Sequence, residues 1–271
     1  MLLRDAPVQC LDAVAPLETW FAANGWSAFP FQREVWLAYL NGDSGLVHSA
    51  TGSGKTLAAW LGPLAEWIAE TSSGTYPELA ELGQRSSGYV PELGKPPGLR
   101  VLWITPMRAL AADTVFSMQR AIEGLGLPWT VGLRTGDTSS AERAKQARRL
   151  PSALVTTPES LSLMLSHADA REKLSELRLV VVDEWHELLG NKRGVMTELG
   201  LARLRAWNPR LRTWGLSATL GNIDEALERL IPSSGGRVIR GATDKAVAID
   251  TLIPPDVDRF PWAGHLGLAM L

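Results

Sequence analysis

Gly45-Leu46-Val47-His48-Ser49-Ala50-Thr51-Gly52-Ser53-Gly54-Lys55-Thr56, followed by Leu57-Ala58-Ala59-Trp60-Leu61, is the stretch that decides the fold. Its first four residues read as a short buried strand and its last five as the start of a helix. The loop between them carries the composition of a phosphate cradle. Gly52 and Gly54 let successive backbone N–H groups turn inward around an anion, the helix N-terminus adds partial positive charge, and Lys55 supplies a point charge for β- and γ-phosphate oxygens. Thr51 and Ser53 complete the loop, and Thr56 is placed to offer its hydroxyl to Mg²⁺. The general pattern G-x-x-x-x-G-K-[ST] has glycine where this chain has Ser49, a departure that Gly52 and Gly54 partly offset. The competing reading is a glycine-serine turn that happens to precede a lysine.

A second element lies downstream. Leu177-Arg178-Leu179-Val180-Val181-Val182 is an apolar, β-branched run suited to a strand buried on both faces of a parallel sheet. It ends in Asp183 and Glu184. A carboxylate at that position can hold Mg²⁺ through water, and its neighbour can orient or deprotonate the water that attacks a γ-phosphate. Ligands of open α/β sheets bind at this strand edge. Taken alone, the same pair reads equally well as a helix cap with an acidic first turn.

Further strands end in polar residues. Val101-Leu102-Trp103-Ile104 leads to Thr105, Pro106 and Arg108; Ala153-Leu154-Val155 leads to Thr157, Pro158 and Glu159; Trp214-Gly215-Leu216 leads to Ser217, Ala218 and Thr219. Hydroxyls, backbone N–H groups and an arginine at the first two of these ends suit the phosphates of a single nucleic-acid strand, whereas the two hydroxyls of the third are common after a strand. Pro158 also sits well as a first helical residue, so ordinary strand-to-helix caps remain the alternative.

Together these residues resemble superfamily 2 DExH-box helicases. Thr51 to Thr56, Asp183-Glu184-Trp185-His186 and Ser217-Ala218-Thr219 are similar to that family's motifs I, II and III. Phe31-Gln32 resembles the Q-motif, whose glutamine reads adenine. Thr105-Pro106-Met107-Arg108 resembles motif Ia, Thr135-Gly136-Asp137-Thr138 the Gly-Asp element, and Thr156-Thr157-Pro158-Glu159 motif Ib. Within the superfamily, residues 20 to 26, Pro30 to Glu34 and Asp183 to Leu188 are most similar to large helicase-related proteins, the bacterial ligase-associated branch in particular, which is implicated in DNA repair.

The resemblance implies a P-loop NTPase of the RecA-like α/β class, with a doubly wound, mainly parallel sheet and helices on both faces. It implies ATP and Mg²⁺ as cofactors and assigns a catalytic role to Lys55, Asp183, Glu184 and His186. Gln32 and Thr51 to Thr56 would bind nucleotide, Thr56 and Asp183 the metal. Ser217, Ala218 and Thr219 would couple nucleotide to nucleic acid, and Thr105, Pro106, Arg108, Gly136, Asp137, Thr157, Pro158 and Glu159 would contact the strand. Expected partners are single-stranded DNA or an RNA–DNA hybrid, further domains in cis and DNA-repair proteins, with 3′-to-5′ movement implied by the resemblance alone. The residues themselves add that the amide of Gln32 can donate and accept at one adenine edge. Phe29 or Phe31 can pack on the base or on the core. His186 is read as contacting the γ-phosphate region, as linking to Ser217, or as a hydrogen-bonded helix residue.

Composition bounds the alternatives. The 271 residues, 45% of them hydrophobic, can bury one substantial core. One cysteine, Cys10, excludes a disulfide scaffold and fits a reducing cytoplasm. Lys plus Arg is 27 against 29 for Asp plus Glu, so no overall basic excess advertises nucleic-acid binding. Locally, Arg143, Lys145, Arg148 and Arg149 form one basic stretch and Arg203, Arg205, Arg210 and Arg212 another; each reads as a strand-tracking groove or as a solvated helix face. No apolar run of eighteen residues and no leader pattern occurs, so a membrane protein or exported protein is not expected. His48, His167, His186 and His265 are scattered, with no zinc spacing. Of the eleven tryptophans, Trp20, Trp36, Trp60, Trp67 and Trp103 fall in core patterns, and Trp129 and Trp185 are also expected to pack.

The expected organisation is a helical lead-in over residues 1–30, within a helical stretch over 11–41. A RecA-like domain follows over 31–252, with a surface insertion at 71–98, and a linker begins at 253–271. Ala246 to Asp250 reads as a late strand. Nothing in the remaining residues resembles a second RecA-like domain, and in the resembled family that domain supplies an arginine finger worth ~10³–10⁵ in rate. The chain is therefore expected to bind nucleotide weakly and not to translocate alone. A nucleotide-binding interaction module without turnover is the alternative, and a metabolic P-loop kinase fits less well because no acceptor site or lid is legible.

Overall fold

The strands alternate strictly in the faces they present, which is why helices cover both sides. The computed structural model describes residues 8–72, 96–232 and 235–241. In β2 (Val101–Ile104), Val101 and Trp103 join one buried cluster while Leu102 and Ile104 join another. β5 (Leu179–Val182) does the same, Leu179 and Val181 on one side and Val180 and Val182 on the other. Side chains on a strand alternate with period two, so a run apolar at every position needs cover on both faces.

Five more strands complete the sheet: β1 (Gly45–His48), β3 (Val131–Arg134), β4 (Ala153–Thr156), β6 (Arg212–Ser217) and β7 (Arg237–Arg240). The order is β3-β4-β2-β5-β6-β1-β7 and every pairing is parallel. The doubly wound RecA-like expectation is borne out. β3 and β7 are strands that reading by apolar runs does not single out; β3 is half-buried along its length and β7 carries arginine at both ends.

On one face lie α1 (Val8–Ala23), α2 (Pro30–Leu40), α3 (Lys55–Ser72) and α4 (Arg108–Gly124). On the other lie α6 (Pro158–Ser166), α7 (Ala170–Lys173), α8 (Trp185–Leu188), α9 (Lys192–Trp207) and α10 (Ile223–Leu230). A short, polar α5 (Ser140–Arg148) follows β3 and buries only Gln146. The helical stretch expected over 11–41 is two helices, not one. Gly25, at φ +71, turns the chain after α1, and Pro30 opens α2 at a position where its missing N–H costs nothing. Leu17, Trp20 and Phe21 of α1 share the core of α2 and α3.

All seven tryptophans expected inside are buried. Trp214 occupies space that only glycine leaves free: a Cβ on Gly45, its register partner, would lie 2.8 Å from the indole and 2.4 Å from the carbonyl of Arg237.

The N-terminal edge of the sheet is lined by arginines. Arg100, Arg178, Arg212 and Arg237 stand at or just before the starts of β2, β5, β6 and β7. Arg212 makes two 2.8 Å bonds to Glu66 and lies 4.2 Å over the ring of Tyr39, whose hydroxyl donates to Glu66 at 2.7 Å. Arg100 meets Glu70 at 2.8 Å, Arg178 approaches Glu70 at 3.8 Å, and Arg237 meets Asp43 at 3.0 Å. Glu66 and Glu70 sit in the C-terminal half of α3, where a carboxylate is disfavoured by the helix dipole unless cations answer it. The strand expected at 246–250, the segment 253–271 and most of the insertion expected at 71–98 lie outside the described residues; Thr71 and Ser72 are the end of α3.

Candidate functional site

Because every strand runs the same way, every motif that follows a strand emerges at one edge. The loop 49–54 leaves β1 and Lys55 opens α3; Asp183 and Glu184 leave β5; Ser217 ends β6, which lies between them. The other half of that edge collects the ends of β2, β4 and β3, with Thr105 and Pro106, Thr157 and Pro158, and Gly136 and Asp137. Strand order thus sorts the motifs into two groups along one rim.

The loop is braced by its neighbours. Ser49 Oγ donates to Ser53 Oγ at 2.8 Å, and Lys55 Nζ donates to the carbonyls of Ser49 and Ala50 at 2.7 and 2.9 Å. Gly52 and Gly54 have φ of 68° and 86°. The φ of Gly54 favours glycine, and a Cβ there would lie 2.6 Å from Gln32 Nε2 and displace that amide. Gln32 Nε2 donates to the Gly54 carbonyl at 3.0 Å and its Oε1 accepts from Phe29 N at 2.8 Å. The amide retains one hydrogen and one lone pair beyond those two bonds. Phe31 is buried in the core, while Phe29 is 55% exposed and stacked on it at 6.1 Å between centroids. Thr51 and Gly52 are exposed, and Thr56 is half-buried in the first turn of α3.

Asp183 is fixed from two sides. Its Oδ1 accepts from Glu184 N at 2.9 Å and its Oδ2 from the indole of Trp103 at 3.2 Å. Burial, and then the charge of Glu184, push its pKa up to about 6; the bonds from Trp103 and Glu184 N and the charge of Lys55 oppose that rise. Glu184 has φ 45° and ψ 48°, the one non-glycine positive φ among the described residues. Such a conformation costs of order 1–3 kcal/mol and persists where the surroundings enforce it. Its Oε2 is buried without a hydrogen-bond partner, 3.5 Å from His186 Nδ1. That nitrogen also lies 3.0 Å from Ser217 Oγ, and Ser217 donates to the Thr219 carbonyl at 3.2 Å. His186 is thus both a hydrogen-bonded residue of α8 and linked to Ser217, and Ala218 lies inside the turn that Ser217 spans. A cavity of about 450 Å³ opens beside this link, lined by His186, Gly190, Thr219, Asn222 and Glu225. His48, at the end of β1, has its pKa lowered by burial and then by Arg240, Lys55 and His186.

The second group is tied together by ion pairs. Arg108 donates to both oxygens of Asp137 at 2.9 and 3.0 Å, on an exposed surface. Arg143 holds the carbonyls of Thr135 and Gly136 at 3.1 and 2.9 Å, which places it at the rim, whereas Arg149 of the same basic stretch reaches the Pro96 carbonyl at the opposite edge. Thr157 is buried and caps α6 by accepting from Ser160 N at 3.4 Å, and Glu159 pairs with Arg193 at 2.6 Å. The cap reading therefore holds for Thr157 itself, and Pro158 is the first residue of the helix as expected. Thr105 is buried under the turn it makes with Met107. The basic stretch from Arg203 to Arg212 is not a groove at this rim: Arg205 donates to the Leu230 carbonyl and Arg212 belongs to the Glu66 cluster at the opposite edge.

Trp103 was legible only as a core residue, and nothing in the sequence announces its bond to Asp183, which depends on β2 lying beside β5. Arg193, at the second position of α9, likewise carries no signal for its pairing with Glu159.

Comparison with known proteins agrees with this geometry. The DEAD/DEAH box helicase family matches residues 29–226. A Lhr helicase/probable uracil glycosylase of Mycolicibacterium smegmatis is 33% identical over 250 residues, 88% of this chain and 15% of that protein. The ATP-dependent helicase Lhr-Core of Methanothermobacter thermautotrophicus is 33% identical over 83% of this chain and 26% of its own length. The structure of Mycobacterium smegmatis helicase Lhr bound to ssDNA and AMP-PNP superposes with a TM-score of 0.69 at 33% identity, over 84% of this chain and 28% of that one. This chain thus spans well under a third of the length of these relatives. Strand order, cradle and rim carboxylates meet in one conclusion: the chain is a helicase domain and belongs to the DEAD/DEAH box helicase family.

Proposed function

We propose that this chain is the first motor domain of an ATP-dependent translocase or helicase that acts on single-stranded nucleic acid, with residues 31–252 as the RecA-like unit. The carrying observation is that Lys55 and the Asp183–Glu184 pair share one rim, separated by a single strand, with a loop whose Gly52 and Gly54 both take positive φ. The local chemistry suits Mg²⁺-ATP. Mg²⁺ in nucleotide sites is held mainly by phosphates and water with one or two carboxylates, and Asp183 supplies such a carboxylate one strand away from the cradle.

In this reading the loop N–H groups and Lys55 bind the β- and γ-phosphates, and Thr56 and Asp183 hold the ion, directly or through water. When bound, the ion neutralises charge on the phosphates. Glu184, with one buried oxygen that has no hydrogen-bond donor, orients the attacking water and takes its proton. His186 connects Glu184 to Ser217, so a change at the γ-phosphate reaches the end of β6. Gln32 and Phe29 face the adenine side. The rim formed by β2, β4 and β3 receives the strand, with Arg108 and Arg143 as its cations; the ssDNA in the Mycobacterium smegmatis relative supports DNA as that strand. A repair role and further domains in cis rest on the family resemblance.

The test uses nucleotide and DNA together. This chain should bind a fluorescent ATP analogue with Mg²⁺ and turn it over very slowly. A longer protein that supplies a second RecA-like domain should release phosphate only when single-stranded DNA is added. Nucleotide binding with no stimulation in either form supports the interaction-module alternative instead.

A further inference from the structure

The bond between Trp103 and Asp183 joins two strands that the sequence separates by eighty positions. Trp103 is fully buried and lies in register with Val181, two residues before Asp183, so β2–β5 pairing delivers the indole to the carboxylate. The backbone adds a second constraint, since Asp183 N donates to the Ile104 carbonyl at 2.8 Å. With Glu184 N on Oδ1 and the indole on Oδ2, each carboxylate oxygen has one donor from the protein and keeps capacity for one more ligand. The ring itself is wedged among core residues of the α1–α4 face, which leaves the N–H no freedom to turn elsewhere. Such outer partners of a metal-binding carboxylate fix its orientation.

We infer that Trp103 is a positioning residue for magnesium: its indole N–H holds the Asp183 carboxylate in the orientation that receives the ion of the bound nucleotide. The inference rests on the Mg²⁺-ATP reading above. Trp103 touches neither nucleotide nor ion, so its removal acts on the metal dependence of binding rather than on nucleotide binding as such. It also ties the metal site to the strand that leads into Thr105 and Pro106, on the proposed nucleic-acid half of the rim.

The experiment measures mant-ATP affinity against Mg²⁺ concentration, and separately in EDTA, for the unmodified chain and for Trp103→Phe. A second variant carries β-(3-benzothienyl)alanine at position 103, which keeps the shape of the indole and replaces N–H by sulfur. The expected result is a rise of about 10–100-fold in the Mg²⁺ concentration that gives half-maximal tightening, with the EDTA affinity unchanged to within about twofold. An unshifted Mg²⁺ midpoint in the isosteric variant overturns the inference while leaving the functional reading intact. Equal losses with and without Mg²⁺ also overturn it, because they assign the tryptophan to packing alone. Absence of any Mg²⁺-dependent tightening in the unmodified chain overturns the functional reading and this inference with it.

Discussion

The two ends of the sheet are built from the same kinds of residue and treat charge in opposite ways. At the N-terminal edge each strand-start arginine finds a carboxylate, and the Tyr39–Glu66–Arg212 cluster is closed: the Tyr39 hydroxyl is held well above its usual pKa by burial and by Glu66. At the C-terminal edge Arg108 and Arg193 answer Asp137 and Glu159, but beside the cradle the carboxylates of Asp183 and Glu184 stand next to each other. Asp183 is driven up to about 6, Glu184 is in the left-handed region with a buried oxygen that receives no hydrogen, and Lys55 is turned onto its own loop. One edge is finished by folding. The other stores charge that a polyanion and a cation would complete.

Breaking the closed edge should produce the largest effect. Glu66→Ala leaves Arg212 and the Tyr39 hydroxyl without their partner inside the protein, and stability measured by urea unfolding should fall by about 3–5 kcal/mol. Mant-ATP affinity of the fraction that remains folded should not change. Relieving the open edge should have the opposite sign. The folded pKa of Asp183 lies above the ordinary value of 3.8, so folding favours its protonated form, and the unmodified chain should lose stability as pH rises from about 4 to about 6 and then level off. Asp183→Asn should abolish that slope and raise stability at pH 7 by as much as about 3 kcal/mol while weakening Mg²⁺-dependent nucleotide binding. A destabilised Asp183→Asn protein at neutral pH would remove the contrast between the edges.

Smaller effects sharpen it. Gly54→Ala introduces a Cβ into Gln32 at a φ of 86° and should cost roughly 1–3 kcal/mol of stability, with loss of nucleotide binding. Arg108→Ala breaks an exposed pair and should change stability by less than about 1 kcal/mol. Its measurable consequence should lie in single-stranded DNA binding by the longer protein, where the salt dependence of log K should drop by about one unit of slope.

The fold was legible because its two informative signals are local. Continuous apolar runs such as Leu179–Val182 announce strands covered on both faces, and glycine-rich loop followed by helix announces the cradle. Half of the site followed from these, since parallel strands bring every strand end to one edge. What remained hidden depends on lateral order. Nothing in one dimension says that β2 lies against β5, that Thr157 spends its hydroxyl on its own helix, or that Arg212 faces Glu66 at the opposite end of its strand from Ser217. β3 and β7 escaped because a half-covered edge strand needs few apolar residues.

The edge opposite the cradle has a practical side. α3 ends at the edge away from the cradle, and the returning chain is fastened there by Arg149 to the Pro96 carbonyl at 2.6 Å and by Ser152 to the Pro97 carbonyl at 3.1 Å. Both anchor points therefore sit at the far pole from nucleotide and rim. A surface-tethering handle attached at that pole would let the domain be immobilised with its working side facing free solution.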